Sequence, residues 1–200
     1  VTAEVAGLVS VRCLQPCSTE DLDELWALYT RAYRAVETKV VTREVLYRDE
    51  FDRLLTAPST MTWVAYSGSR TVAMCPIATD LSVITWLNGD FFAGRFPDRP
   101  IRYLAFLVVD SSVRLARVIQ SIAGGLIPEA QQANAVLAFD TSTSNNGPAL
   151  TVLMRRLLRS HGIDREVVPV AERVVVAKDF TNGSGSQPGP HPMRSRKGRV

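Results

Sequence analysis

Histidine and cysteine are scarce in this chain. Two histidines, His161 and His191, and three cysteines, Cys13, Cys17 and Cys75, are all that it contains. Cys13 and Cys17 stand close together, but a tetrahedral zinc set would need imidazole from both distant histidines. No metal site is expected. An odd cysteine count points to reduced thiols rather than a disulfide framework. No apolar run approaches the roughly 20 residues of a membrane-spanning helix. The first residues lack the basic start and apolar core of a signal peptide, so the expected location is the cytoplasm. Acids are missing from residues 181–200, which carry Arg194, Arg196, Lys197 and Arg199. The net charge of +3 is therefore +4 in that tail and −1 in residues 1–180. The high pI belongs to the tail and not to the body. Gly-x-Ser-x-Gly, a Walker loop, His-Glu-x-x-His and the dinucleotide-binding glycine fingerprint are all absent, which leaves hydrolase, nucleotidase, metalloprotease and dehydrogenase readings without support.

What is present is a strand–helix–strand–helix pattern over residues 101–162. Residues 101–110, IRYLAFLVVD, read as one buried strand. Leu115, Val118, Ile119, Ile122 and Leu126 then recur at helical spacing, with Gly124 and Gly125 loosening the helix end. Residues 135–139, AVLAF, are a second buried strand. Leu150, Leu153, Met154, Leu157 and Leu158 form the stripe of a second helix that stops at His161 and Gly162. Two such units favour parallel strands, and open sheets bind ligands beyond the carboxyl ends of parallel strands.

Upstream, residues 11–15 read as a strand. Ser18 and Asp21 form a capping box before a helix with Leu22, Leu25, Trp26, Tyr29, Ala32 and Tyr33 on one stripe. Thr42 is the expected cap of a helix carrying Tyr47, Phe51, Leu54 and Leu55, ended by Pro58. Residues 61–66 and 71–79 read as a hairpin, with Pro76 marking a bulge or an edge position. Residues 84–100 are less regular. Their Trp86, Phe91, Phe92 and Phe96 either close the core under a loop or wall an apolar substrate. Residues 167–170 and 174–177 read as a final strand or hairpin. Residues 1–180 are expected to form a single domain, and the Gly/Ser/Pro-rich tail 181–200 to be disordered, binding nucleic acid or acidic surfaces weakly.

Asp110 and Asp140 end the two parallel strands. Either can act as general base on an ammonium substrate if partial burial raises its pKa; either can equally cap a helix or close a loop. Arg114 and Arg117 can hold phosphate or simply be solvated. Ser142, Ser144 and Asn146 can cap the last helix. Arg155, Arg156 and Arg159 make a basic patch or an ordinary solvated face.

The element order resembles the GNAT superfamily of acyl-coenzyme A acyltransferases over residues 10–178. The segment that carries the resemblance is FLVVDSSVRLARVI, residues 106–119, with Asn146-Gly147-Pro148-Ala149 as a second matching piece. The resemblance implies an α/β fold of α+β type: a mixed sheet with an antiparallel hairpin and a splayed parallel strand pair, flanked by helices. It implies an acyl thioester of coenzyme A or a carrier protein as donor, an amine as acceptor, and no metal. Leu107, Val108 and Val109 would meet the pantetheine arm. Arg114, Leu115, Ala116, Arg117, Val118 and Ile119 would take the pyrophosphate, with Asn146 at the next helix. Trp86, Phe91 and Phe92 would line the substrate, and Asp140 or Asp110 would take its proton. Self-association is left open. Arg117 and Ile119 stand where the family has small residues, and the tyrosine that many members use as general acid is absent from LTVLMRRLLRS. These departures support the alternative, a GNAT-fold binding or assembly module without catalysis.

Overall fold

Ser18 starts the first helix by the reciprocal bonds its sequence predicts. The Ser18 hydroxyl accepts from the Asp21 amide at 3.3 Å, and the Ser18 amide donates to the Asp21 carboxylate at 3.0 Å. In the computed structural model, which describes residues 9–34, 45–140 and 147–162, that helix is α1, Thr19–Tyr33. It follows strand β1, Val9–Leu14. Helix α2, Arg48–Thr56, buries Phe51, Leu54 and Leu55. Its cap position is Tyr47, whose amide donates to Glu50; Thr42 lies outside the described residues. Strands β2, Thr60–Ser67, and β3, Arg70–Ala78, form the expected hairpin. Ser67 pairs Arg70 across a two-residue turn whose first member, Gly68, has φ 63°. A side chain at that φ would be strained, which is why glycine stands there.

A short 3₁₀ turn, Leu81–Val83, leads to helix α3, Gly89–Arg95. This helix corrects the expectation of an irregular stretch. Asn88 caps it through its side-chain oxygen, and Asp90 sits in its first turn. Residues 101–110 are not one strand either. They divide into β4, Ile101–Leu104, and β5, Val108–Val109. Helix α4, Leu115–Gln132, runs straight through Gly124, Gly125 and Pro128 and so is longer than those residues suggest. β6, Val136–Phe139, and α5, Gly147–Ser160, complete the described elements.

The sheet order is β1-β2-β3-β4-β6, with β5 paired to β3. All pairs are antiparallel except β4 with β6, which run parallel with Ile101 opposite Val136 and Leu104 opposite Phe139. α1 and α2 cover one face, packing Leu25, Leu28, Tyr29, Phe51 and Leu55 on Val64, Met74, Ala78 and Val108. α4 covers the other, packing Val118, Ile122 and Leu126 on Met61, Ala65, Cys75 and Ile77. α5 lies against α4 through Leu157, Ile119, Ala123 and Ile127. The half-buried Arg102–Glu129 pair, 2.8 Å apart, ties β4 to α4. Each large apolar side chain buried in this way contributes about 1.5–3 kcal/mol.

The chain divides into two compact units, Val1–Val167 and Val168–Val200, and the described residues all lie in the first. The expected boundary at residue 180, the final strand or hairpin and the basic tail lie outside the described residues.

Candidate active site

The break between β4 and β5 is where the sheet opens. Leu104 pairs with Ile77 and Val108 with Met74, so four steps on one side match three on the other. One extra residue is inserted, and Phe106 and Leu107 stand opposite Cys75. Pro76 explains the position. Its carbonyl accepts from the Ala105 amide at 3.0 Å, so its own nitrogen faces the same neighbour. Proline has no N–H to give, and the ladder fails there. The proline is thus at a partner's bulge on a central strand, not at an edge; the irregularity of β3 against β2 lies earlier, beside Ala65 and Tyr66.

Two features keep the break in place. Phe106 is buried against Tyr29 and Phe51, with ring centroids 5.0 and 6.2 Å away. Asp110 returns to the ladder by donating its amide to the Val72 carbonyl at 2.8 Å. By the two-residue alternation of a strand, the Val109 N–H then points away from β3. β4 and β6 stay paired to Leu104 and Phe139, and β5 has no pairing with β6.

α4 begins just past this opening. Arg114 is its N-cap residue and makes no side-chain cap bond. The Arg117 and Val118 amides already donate to the Arg114 carbonyl at 3.0 and 3.3 Å. Ile119 lies deeper, where amides serve the helix itself. Of the six residues expected at the anion, Arg114 to Ile119, Leu115 and Ala116 carry the first-turn amides left for an outside acceptor among the described residues. Arg114, Leu115, Ala116 and Arg117 are exposed. The side chains of Val118 and Ile119 point inward, Val118 onto the sheet and Ile119 under α5. Ile119 therefore does not crowd the helix start, contrary to what its place in the sequence pattern implies.

The two aspartates differ. Asp110 accepts from the Ser112 hydroxyl at 2.6 Å and the Ser112 amide at 2.9 Å. Arg31 pairs with it at 3.3 Å, and Arg70 stands 4.0 Å away. The Ser112 bonds first, then the two guanidiniums, hold its carboxyl below the usual carboxylate range and outweigh its burial. This is the reverse of the raised pKa that a general base needs. Asp140, just beyond β6, takes one hydrogen bond, from the Tyr103 hydroxyl at 2.8 Å, and no ion pair among the described residues. Tyr103 is buried on the α1 face.

The aromatic residues expected to line a substrate, Trp86, Phe91 and Phe92, lie on and before α3. Phe92 is core, packed on Tyr103 at 6.3 Å. Phe91 and Trp86 are about two-fifths exposed, at 41% and 38%. Phe92 and Ile101 border a cavity of about 590 Å³ with Asp80, Asn88 and Arg99. That cavity sits where β4 begins, at the opposite end from the break. Asn146, Ser142 and Ser144 lie outside the described residues. Arg155 and Arg156 are exposed on α5. Among the described residues no three His, Cys, Asp or Glu side chains converge as a metal set. The sequence reading missed Phe106, Tyr103, Arg31 and Arg70. Pro76 was the visible signal for the break, and nothing local marked the other four.

No protein-family model matches the sequence, and no curated protein shows significant similarity to it. Solved structures do share its architecture. One is a possible acetyltransferase from Clostridium difficile 630, 14% identical, with a TM-score of 0.53 over 85% of this chain and 99% of that one. Another is the aminoglycoside N-acetyltransferase AAC(6')-Iy in complex with CoA, 13% identical, with a TM-score of 0.51 over 90% and 99%. The chain has the GNAT fold. The ribosomal-protein-alanine N-acetyltransferase from Brucella melitensis biovar Abortus 2308 also matches, at 11% identity and a TM-score of 0.50 over 86% and 99%. Counted in GNAT order, β4 and β5 together are the fourth strand and β6 is the fifth.

Proposed function

We propose that the protein transfers an acyl group from an acyl thioester, of coenzyme A or a carrier, to an amine. The observation that carries this reading is the strand break at residues 105–107. Among the described residues it leaves an unpaired backbone edge beside β6 and leads, through one turn, into a helix start with two free amides. The donor set fits a diphosphate: main-chain N–H groups at a positive helix end, with the exposed Arg114 and Arg117 guanidiniums beside them.

In this reading the thioester arm lies along Leu107, Val108 and Val109. The outward Val109 N–H polarises the thioester carbonyl and holds the oxyanion that forms on attack. Asp140 takes a proton from the acceptor's ammonium, directly or through water. The free amine attacks the carbonyl carbon, the C–S bond breaks, and the thiolate leaves with a proton from solvent or the new amide nitrogen. Tyr103 orients the Asp140 carboxylate by donating to one oxygen, which leaves the other for the amine. Asp110 is set aside as base because its carboxylate is already held by Ser112, Arg31 and Arg70. Aminoglycosides and ribosomal-protein alanine belong to the neighbours, and the acceptor here is assigned no further than an amine. The structural neighbour in complex with CoA supports coenzyme A as donor. Among the described residues no helix is long and apolar enough to cross a membrane, and the proposed location is the cytoplasm.

Calorimetric titration with acetyl-coenzyme A and longer acyl-coenzyme A tests the reading. Arg114→Ala should weaken that binding by about 1–3 kcal/mol. No binding by the wild-type chain would overturn the reading. Binding without turnover on any amine would favour the non-catalytic module.

A further inference from the structure

The Asp110 carboxylate is a junction of three elements that are far apart in sequence. Its Oδ1 accepts from the Ser112 amide and hydroxyl, which closes the turn after β5. The Asp110 carbonyl accepts from the Val113 amide at 3.2 Å and tightens the same turn. Oδ2 accepts from Arg31, on the last turn of α1. Arg70, the first residue of β3, approaches Oδ1 and donates to the Ser112 hydroxyl oxygen. The carboxylate is 12% exposed, whereas the Arg31 and Arg70 side chains are 57% and 58% exposed. The anion is thus almost covered and each guanidinium keeps open donors toward solvent. The turn it closes ends one residue before Arg114, the cap of α4.

We propose that Asp110 is a positioning residue for the phosphate end of the thioester donor, fixing the turn that aims the Leu115 and Ala116 amides and holding Arg31 and Arg70 beside it. The inference rests on the acyl-thioester reading above. Its physical basis is pre-organisation. A turn with its amide and hydroxyl already satisfied loses little freedom when an anion arrives. Two guanidiniums held near each other repel unless an anion lies between them, and Asp110 is that anion in the free protein. Removing it frees the turn and drives the cations apart. None of these contacts belongs to the apolar core, so the loss should fall on phosphate binding rather than on the thioester arm. The depressed pKa of Asp110 agrees, since it keeps the carboxylate ionised through the neutral range.

The test compares two donors that differ in the phosphate end. Acetyl-coenzyme A and S-acetyl-pantetheine, which has the same arm without phosphate, are titrated by NMR into the full chain and its variants. Asp110→Ala should raise the dissociation constant for acetyl-coenzyme A by about ten-fold or more, in keeping with the loss of charge-assisted bonds. Asp110→Asn keeps an acceptor for Ser112 and should lose less. S-acetyl-pantetheine should bind all of them within about two-fold of wild type. Arg70→Ala, an exposed substitution with little bearing on folding, should weaken acetyl-coenzyme A alone. Equal weakening of both donors, or no change in either, overturns the positioning role while leaving the acyl-thioester reading standing. Failure of the wild-type chain to bind acetyl-coenzyme A overturns that reading and this inference together.

Discussion

Substituting alanine for two adjacent glycines in α4 should change stability in opposite directions. A Cβ added at Gly124 meets nothing within 4 Å. Gly124→Ala should therefore give the full helix-propensity gain, about 0.8–1 kcal/mol. A Cβ added at Gly125 lands 2.1 and 2.4 Å from two ring carbons of Trp63 and 3.0 Å from a third. Carbon atoms prefer roughly 3.5–4.0 Å, so the helix or the ring must move by more than an ångström. The ring has little room. Trp63 stands between Cys13 and Cys75 in the sheet, and Cys75 is fully buried. Overpacking of this kind costs about 1–3 kcal/mol. It outweighs the propensity gain over most of that range, so Gly125→Ala should destabilise. The difference between the two variants cancels the common propensity gain and isolates the clash, about 1–3 kcal/mol. For a chain of this length that is roughly 2–12 °C in Tm. Urea and thermal unfolding, followed by Trp fluorescence and circular dichroism, measure both variants side by side. Equal stabilisation by the two alanines would refute the close packing of α4 on β2.

Asp140→Asn should lower kcat by about 10²–10⁴-fold with little change in KM for acetyl-coenzyme A, and Tyr103→Phe should lower it less; full turnover by Asp140→Asn would remove it as the base. Burial pushes the Cys75 thiol up to about 12 and also raises Cys13 and Cys17, while Cys13 is the exposed one. Alkylation of the native protein near neutral pH should label Cys13 first and slowly, and all three thiols after unfolding; early labelling of Cys75 would contradict its burial. Asp110 has a folded pKa below its ordinary value of 3.8. Its contribution to stability is therefore complete above 3.8 and lost as pH falls through the lower folded value. The acid limb of a stability profile should be shallower in Asp110→Asn than in wild type, and identical limbs would show that the carboxylate gains nothing on folding.

Much of the architecture is written in neighbouring residues. Ser18 and Asp21 sit three apart, so their bonds follow from helix geometry alone. Gly68 and Ser69 lie between two strand-forming runs, and the hairpin follows. The 3.6-residue recurrence from Leu115 to Leu126 and from Met154 to Leu158 marks two helices between and after buried strands. Asn88 with Asp90 was also a legible helix start, masked by the aromatic residues around it. Helix continuity through Gly124, Gly125 and Pro128 was not legible, because propensity is a weak prior against the apolar face that α4 buries.

The site was decided by the tertiary structure. The break at residues 105–107 depends on Pro76 lying opposite, a fact of register across two strands. Asp110 and Asp140 end equivalent strands in the sequence, yet only folding brings Arg31, 79 positions away, and Arg70 to the first and Tyr103 to the second. Ile119, which the sequence places at the anion site, is turned under α5 by the helix's own rotation. The sequence by itself determined the capped first helix, the hairpin and the alternation of strand and helix after it, since capping, turns and periodicity act over a few residues. Among the described residues, the tertiary structure alone decided which backbone edge is left open and which carboxylate is left without a cation, since both depend on partners that only the sheet register brings within reach.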